Sequence, residues 1–379
     1  MTDRESDGPA HSDPIRLLLV GAGSMGRGWV RAVASNPEAV LVGVVDLEPR
    51  AATAAADIYR QAGGRLVPTG DSLPGLAAST RPDAVIDVTV PGAHHAVTVE
   101  ALRLGLPVLG EKPAAGTLSE ALSLAATVEC TGGLFMVSQS RRYNSQFLQL
   151  RRLVTTLAPI GMVTHTFARA PHFGGFRDGM DDPLLVDMAI HPFDAARTLF
   201  QGHPVAVYCE SFNPPWSWYH GDAAASATFE FGGGSRFVYS GSWCSAGLET
   251  SWNGFWRVSG AGGSALWDGD NPPRGAATDG TDLPTDPTSS VQPGIAGSLV
   301  EFVAALRTGA PPQGEIHDNL VSLAMVEAAV RSTKIGQRVR IADFLDEAWQ
   351  AAIAAERAED VRQRLQSWTS PIGEQPITC

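Results

Sequence analysis

The feature that most constrains this chain is the apolar run Ile15-Arg16-Leu17-Leu18-Leu19-Val20, which leads straight into Gly21-Ala22-Gly23-Ser24-Met25-Gly26 and then into helix-forming residues. A buried strand that delivers G-x-G-x-x-G to a helix is the layout of a dinucleotide-binding turn. Gly21 suits the tight turn, Gly23 lets backbone approach a pyrophosphate, and Gly26 allows close helix-strand packing. Free N–H groups and the helix dipole at Ser24 and Met25 would stabilise the anion. Three spaced glycines alone specify little. A second apolar run, Val40 to Val45, strengthens them, because it ends in Asp46, about twenty residues after Gly26, where the fingerprint puts a carboxylate for the adenosine ribose. That carboxylate would repel a 2'-phosphate, so NAD is the expected cofactor. Arg27 and Arg50 are placed to meet such a phosphate, which leaves NADP open.

Further apolar runs at 84–90, 107–110 and 133–138 alternate with Ala-rich amphipathic segments near 25–35, 49–62, 94–104 and 117–130. This alternation predicts a doubly wound parallel sheet, a Rossmann domain over residues 14–140. Beyond it, aromatic-rich or alternating runs at 161–169, 205–213, 223–231, 235–243 and 254–259 follow one another without helices, as in a mostly antiparallel open sheet. Residues 269–294 read as a long loop, and helical patterns return at 295–308, 317–334 and 343–367. The expected organisation is a disordered tail over 1–13, the Rossmann domain, a second α/β domain over 141–341 and a helical extension over 342–379.

Composition excludes several classes. A formal charge of -12 opposes nucleic acid, and no basic stripe interleaves with aromatics. No apolar stretch approaches the roughly 18 residues a bilayer span needs, and the acidic opening lacks a secretory core, so a cytoplasmic protein without membrane contact is expected. Cys130, Cys209, Cys244 and Cys379 are scattered, and His94, His95, His165, His172 and His220 do not combine with acids at metal-ligand spacing, so no metal is expected.

Two segments carry polar chemistry that folding does not require. In Val108-Leu109-Gly110-Glu111-Lys112-Pro113, a short buried strand ends in a charged pair, at the sheet edge where ligands bind. In Asp187-Met188-Ala189-Ile190-His191-Pro192-Phe193-Asp194, three polar residues at i, i+4 and i+7 form one stripe on an otherwise apolar helix. Such groups must pair with each other or meet a ligand. Pro192 removes the bond to the Met188 carbonyl, so a kink is expected there.

With these pieces together, the chain resembles the glucose-fructose oxidoreductase, inositol dehydrogenase and rhizopine-catabolism (Gfo/Idh/MocA) family of NAD(P)-dependent oxidoreductases. The likeness runs over about residues 15–341. It is carried by the glycine turn, Thr89 and His94 ahead of Glu111-Lys112-Pro113, Arg141-Arg142-Tyr143-Asn144, and Asp187-x-x-x-His191-x-x-Asp194. It implies a sugar or polyol substrate, and an open sheet that covers the nicotinamide and often makes a homo-oligomer, a dimer or tetramer. Thr89, His94, Glu111 and Lys112 would adjoin the cofactor. Lys112, Asp187 and His191 would be catalytic, and Arg141, Tyr143, Asn144 and Asp194 would line the substrate crevice. Departures from the family pattern are Ala189 for a common glycine, Ser140 for Asn, and Met180-Asp181-Asp182-Pro183 in place of a Gly-rich approach. These leave the substrate unnamed.

Chemically, His191 has the unperturbed pKa of a general base, near 6.5. Asp187, one turn earlier, would fix its tautomer or bind a substrate hydroxyl, and Lys112 would favour the alkoxide. Trp216, in Pro214-Pro215-Trp216-Ser217-Trp218, offers a face for a sugar ring or a packed edge. Two other functions compete with a dehydrogenase: a non-catalytic dinucleotide sensor, and an enzyme that uses NAD transiently for sugar elimination or hydrolysis.

Overall fold

The structure, a computed structural model, describes residues 13–285 and 291–372. The expected disordered tail therefore lies, apart from its last residue, outside the described part. Six strands form the first sheet: β1 (Ile15–Val20), β2 (Ala39–Val45), β3 (Thr69–Gly70), β4 (Ala84–Asp87), β5 (Val108–Gly110) and β6 (Phe135–Val137). All pair in parallel, in the order β3-β2-β1-β4-β5-β6. Helices α1 (Ser24–Ala34), α2 (Pro49–Gln61), α3 (Leu73–Thr80), α4 (Pro91–Arg103) and α5 (Leu118–Thr131) cross between them. The order reverses between β1 and β4, so a crevice opens past the carboxyl ends of those two strands. The N-termini of α2, α3 and α5 are capped by Glu48, Ser72 and Thr117, whereas α1 and α4 have no side-chain cap. The two uncapped helices follow β1 and β4, the strands that flank the reversal.

The second sheet contains β7 (Ile160–Ala168), β8 (Pro204–Phe212), β9 (Ala224–Phe231), β10 (Arg236–Ser242), β11 (Phe255–Gly260), β12 (Gly263–Trp267), β13 (Arg274–Ala277), β14 (Asp282–Leu283) and β15 (Val339–Arg340). Its order is β14-β13-β12-β11-β7-β10-β9-β8-β15, antiparallel throughout except for the parallel pair β7–β10. One face is buried against α6 (Ser145–Thr156), α7 (Ile190–Arg197) and α9 (Ile316–Ile335), with Val207, Cys209, Phe229, Phe237 and Val258 in the shared core. The other face carries exposed Met162, Val205, Tyr208, Phe212 and Phe255. The described part of the stretch 269–294, expected to be a loop, contributes β13 and the edge strand β14, while residues 286–290 lie outside the described part. Their sequences lack β-branched runs, and the pairing of β13 to β12 and of β14 to β13 supplies the order that local propensity does not.

Late helices return to the first sheet. In α8 (Gly294–Thr308), Leu299, Phe302 and Val303 share a core cluster with Leu17, Leu19, Trp29 and Val30. Two further helices, α10 (Ile341–Ala355) and α11 (Glu359–Ser367), bury Leu345, Ala348, Ala352, Val361 and Leu365 in the core that includes α5. The single helical pattern over 343–367 breaks at Glu356, whose carboxylate accepts from the N–H of Arg357 and Ala358. No helix among the described residues is long and apolar enough to cross a membrane.

Candidate active site

The glycine turn divides its tasks as the spacing predicts. Gly21 has φ +94°, and a Cβ there would lie 2.5 Å from the Val88 carbonyl oxygen. A Cβ on Gly26 would lie 2.1 Å from the Gly21 carbonyl oxygen, so the helix can pass this close only without a side chain. A Cβ on Gly23 would meet nothing within 4 Å. Gly23 therefore borders open space, where α1 begins at Ser24 and exposed Met25 with no cap and no acid in its first turn. Asp46, just past β2, accepts from the Ala22 N–H at 2.6 Å and from the Glu48 N–H at 2.8 Å, which ties the turn to the second strand. Arg50 is exposed in the first turn of α2. An uncapped helix start, an open glycine and a carboxylate at the next strand end fit a bound dinucleotide.

The ends of β4 and β5 are held by groups that sequence reading placed only in part. Asp87, fully buried at the end of β4, accepts from the Thr89 N–H (3.0 Å), the Thr89 hydroxyl (2.7 Å) and the Thr98 hydroxyl (3.2 Å). The sequence signal for it is the apolar run Ala84-Val85-Ile86 ending in a lone acid. His94 sets Nδ1 2.7 Å from the Pro113 carbonyl and Nε2 3.0 Å from the Thr89 carbonyl, joining the loop after β4 to the loop after β5. Glu111 is buried and accepts from the Trp29 indole at 2.8 Å and from the Lys112 N–H at 3.2 Å. Burial raises its pKa. Its carboxylate ties the start of Lys112 and, through the Trp29 indole, helix α1 to the end of β5.

Lys112 reaches across to the helix of the second layer. Its Nζ donates to the Asp187 carbonyl at 2.9 Å and to Asp187 Oδ1 at 2.8 Å, while Arg177 Nε donates to Asp187 Oδ2 at 2.5 Å. Burial opposes ionisation of Asp187, but Lys112 and Arg177 outweigh it and hold the pKa below the usual value. Pro192 cannot donate to Met188. In place of a sharp kink the chain forms a π-helical turn over Leu184–Ala189 before α7 resumes at Ile190. His191 sits at the start of α7. Its Nδ1 is buried without a partner, and burial, then Arg141, then Lys112 drive its pKa well below 6.5. The expected Asp187–His191 pair is therefore not formed: both Asp187 oxygens serve cations, and the imidazole stands neutral beside them. Arg177 lies on a short helical turn, Gly175–Gly179, in a loop with no periodicity, and nothing in the sequence singled it out.

The four residues after Ser140 split into two groups. Arg141 stays with the site: Nη1 donates to the Trp252 carbonyl and Nη2 contacts Met188 Sδ at 3.5 Å. It lines a small cavity with His191, Asn253 and Trp256. Arg142 turns away and binds Asp194 twice, at 2.8 and 2.7 Å. Asp194 also accepts from Ser322 at 2.6 Å, and at 2% exposure it has no room for substrate. Tyr143 is buried in the core cluster with α8, against Gly297. Asn144 caps α6, accepting from the N–H of Gln146 and Phe147. The substrate roles expected for Asp194, Tyr143 and Asn144 are thus corrected to an internal ion pair, core packing and a helix cap. Trp216 is 70% exposed, with its indole N–H fixed to the Cys244 carbonyl at 2.9 Å. Aromatic rings nearer the Asp187 network are Phe173 and Phe176, over which the Arg177 guanidinium lies at 5.2 and 4.7 Å.

Comparison with known proteins agrees with this layout. The family described as an oxidoreductase family with an NAD-binding Rossmann fold matches residues 15–139, and the GFO/IDH/MocA C-terminal domain matches residues 160–266. An inositol 2-dehydrogenase of Rhizobium meliloti is 26% identical, over 86% of this chain and 99% of its own length. The rhizopine catabolism protein MocA of Rhizobium meliloti is 26% identical, over 83% of this chain and 94% of its own. The crystal structure of a putative myo-inositol dehydrogenase from Sinorhizobium meliloti superposes with a TM-score of 0.71 at 26% identity, covering 86% of this chain and 100% of that one. An Agrobacterium radiobacter oxidoreductase solved with NAD+, L-tartaric acid and magnesium shares the fold, with a TM-score of 0.77 at 19% identity over 86% of this chain and 98% of that one. With an open glycine turn, a lysine from the strand-end Glu-Lys-Pro and an Asp-His helix meeting in one crevice, this chain belongs to the GFO/IDH/MocA family of NAD-binding oxidoreductases.

Proposed function

We propose that this protein transfers a hydride between NAD and a secondary alcohol or ketone of a sugar, cyclic polyol or sugar derivative. The observation that carries the reading is the meeting of Lys112 with Asp187, 75 positions apart, beside the neutral imidazole of His191. Relatives named inositol 2-dehydrogenase support a polyol-like substrate.

NAD supplies the hydride acceptor, and the chain's residues do the rest. Alcohol oxidation releases a proton from oxygen, so the site needs a base that is neutral beforehand and a cation beside the developing alkoxide. His191 meets the first requirement. Because Nδ1 is sealed in the interior, the proton is accepted at Nε2. Lys112 Nζ has a third N–H beyond the two that hold Asp187, and this N–H would bring the positive charge to the substrate oxygen. Asp187 fixes Lys112 and Arg177 and leaves the imidazole's tautomer to burial. General-base action is worth about 10²- to 10⁴-fold, and holding the reactants in contact roughly 7–11 kcal/mol, so positioning dominates.

The test is absorbance at 340 nm with inositols, hexoses and sugar acids, using NAD and NADP in turn. Reduction of NAD by one of them, lost by at least about 10²-fold in Lys112→Ala and in His191→Ala with NAD binding kept, is the expected result. Unchanged turnover in both variants would refute the site, and product without net NADH would point to transient use of the cofactor. The exposed apolar residues of the nine-stranded sheet, Met162, Val205, Tyr208, Phe212 and Phe255, support a homo-oligomer formed through that face. Light scattering that reports a monomer would remove it. A cytoplasmic location, and a division into units 14–140, 141–341 and 342–379, complete the reading.

A further inference from the structure

We propose that the substrate carries a carboxylate, received by Arg141, which narrows the oxidoreductase reading above to sugar acids or carboxylated polyols. The argument starts from two adjacent arginines with opposite fates. Arg142 is paid in full by Asp194 and Asp318, at 2.7 and 3.1 Å. Arg141 pairs with no carboxylate among the described residues, and its contacts are one backbone carbonyl and one thioether. Burial is the main influence on its guanidinium and pushes its pKa down to about 10, with the Tyr239 phenol and no carboxylate acting against it. Arg141 is only partly exposed, and a largely desolvated cation without a counter-ion is costly unless a ligand reaching it from the crevice completes the pair.

The missing anion does not come from the coenzyme. Its phosphates belong at the glycine turn, and its reacting ring carries no negative charge. What remains is the substrate. Arg141 and His191 line one small, mostly apolar cavity with Phe147, Asn253, Trp256 and Trp267, so the guanidinium is a near neighbour of the imidazole that takes the proton, and an anion meeting Arg141 from the crevice comes close to that base. A carboxylate is small and planar and matches the guanidinium fork. A second guanidinium, that of Arg177, binds the Asp187 oxygen that Lys112 leaves and lies over the exposed rings of Phe173 and Phe176. The Trp252 ring, whose residue holds Arg141 through its carbonyl, lies 6.0 Å from Phe173. Phe173 and Trp252 thus connect the surroundings of the two guanidinium groups with aromatic surface of a kind that suits a sugar ring. Arg141 is also one of the charges that hold His191 neutral, so an anion arriving on Arg141 strengthens the base as the substrate binds.

The test uses the protein with NADH bound and follows NADH fluorescence while matched ligands are added: D-glucuronate against D-glucose, and D-galacturonate against D-galactose. The carboxylated member of each pair is expected to bind about 10- to 100-fold tighter, the range of a charge-assisted hydrogen bond. Arg141→Gln should bring that ratio close to one, and Arg141→Lys should keep part of it. Should Arg141→Gln not fold, the wild-type ratio measured against salt decides: a ratio that shrinks as salt rises supports the proposal and a constant one overturns it. Equal binding within each pair, binding of neither member, glucose 6-phosphate outcompeting glucuronate, or a ratio that survives Arg141→Gln would each overturn it. If neutral polyols reduce NAD in a Lys112-dependent way and carboxylated ones do not, the oxidoreductase reading stands and this inference alone fails. If NADH itself does not bind, the failure lies in the earlier reading.

Discussion

Replacing Gly23 with alanine separates cofactor binding from folding, because the structure gives that methyl group nothing to strike. Gly23 has φ -64° and ψ -163°, within reach of any L-residue, and a Cβ there has no neighbour within 4 Å. The variant should fold with stability within about 1 kcal/mol of the parent, and a small gain from a stiffer unfolded chain is allowed. The same open space is where a pyrophosphate must come within hydrogen-bonding range of the turn's N–H groups, so the methyl displaces it. A hundredfold loss of NAD affinity corresponds to about 2.7 kcal/mol. At NAD 100 times the parent's Kd, ligand binding stabilises the parent by about 2.7 kcal/mol, while a variant with Kd a hundredfold weaker gains only about 0.4 kcal/mol. Melting curves with and without NAD would show this directly: a shift of several degrees in the parent, and close to none in Gly23→Ala with an unchanged baseline. Gly26→Ala makes the opposite prediction. Its Cβ would sit 2.1 Å from a backbone oxygen of Gly21, so helix and strand must part, at a cost of roughly 1–3 kcal/mol before any NAD is added. If Gly23→Ala binds NAD within threefold of the parent, or if the two variants lose equal stability, the turn is not the dinucleotide seat.

Three further outcomes follow from the same geometry. Asp194→Ala removes the bidentate partner of the buried Arg142 guanidinium, leaving it only Asp318, and should cost about 3–5 kcal/mol of stability, read as a large drop in melting temperature, with NAD affinity retained. The imidazole of His191 must be neutral to accept a proton and its pKa is held well below 6.5, so kcat/KM for oxidation should stay level as pH falls through 6.5 and decline only at lower pH; a midpoint at 6.5 or above counts against the base. Removing residues 341–372 strips Leu345, Val361 and Leu365 from α5, each worth about 1.5–3 kcal/mol, and should lower the melting point far more than Arg103→Ala, whose half-exposed pair with Asp360 is worth under about 1 kcal/mol.

The first sheet was legible because its signals are local. An apolar run into G-x-G-x-x-G, and the alternation with Ala-rich segments, specify strand, turn and helix within windows of a dozen residues. Two short elements there, β3 and α3, escaped because Thr69–Gly70 is no apolar run and owes its place to pairing with β2. The return of α8 and of α10–α11 to the first sheet was invisible for another reason. Amphipathic periodicity says that a helix has a face to bury, and leaves open which of two layers will cover it. Of the candidate site, the glycine turn, Lys112, Asp187, His191 and Arg141 were read and came together. Arg177 was missed because a cation in an aperiodic loop carries no signal until its partner is known.

The stripe Asp187, His191, Asp194 shows where spacing misleads and why. On a straight α-helix these three share a face. The π-helical turn over Leu184–Ala189 changes the angle per residue through Asp187, and the stripe divides. Asp187 looks to Lys112 and Arg177, His191 to Arg141's cavity, and Asp194 to Arg142 and Ser322 inside the fold. The same division runs through Arg141 and Arg142. What sorts each pair is how fully its charge is satisfied within the chain. Asp194 and Arg142 neutralise each other out of solvent and belong to stability, whereas Arg141 keeps an unmatched charge at the crevice and belongs to the ligand. Asp187→Asn and Asp194→Asn, alike on paper, should therefore part in the assay: the first loosens Lys112 and lowers kcat at near-native stability, the second lowers the melting point and leaves the surviving folded protein's kcat close to the parent's. A loss of kcat per folded molecule in both would mean that the stripe acts as one unit and that the buried ion pair has been misread.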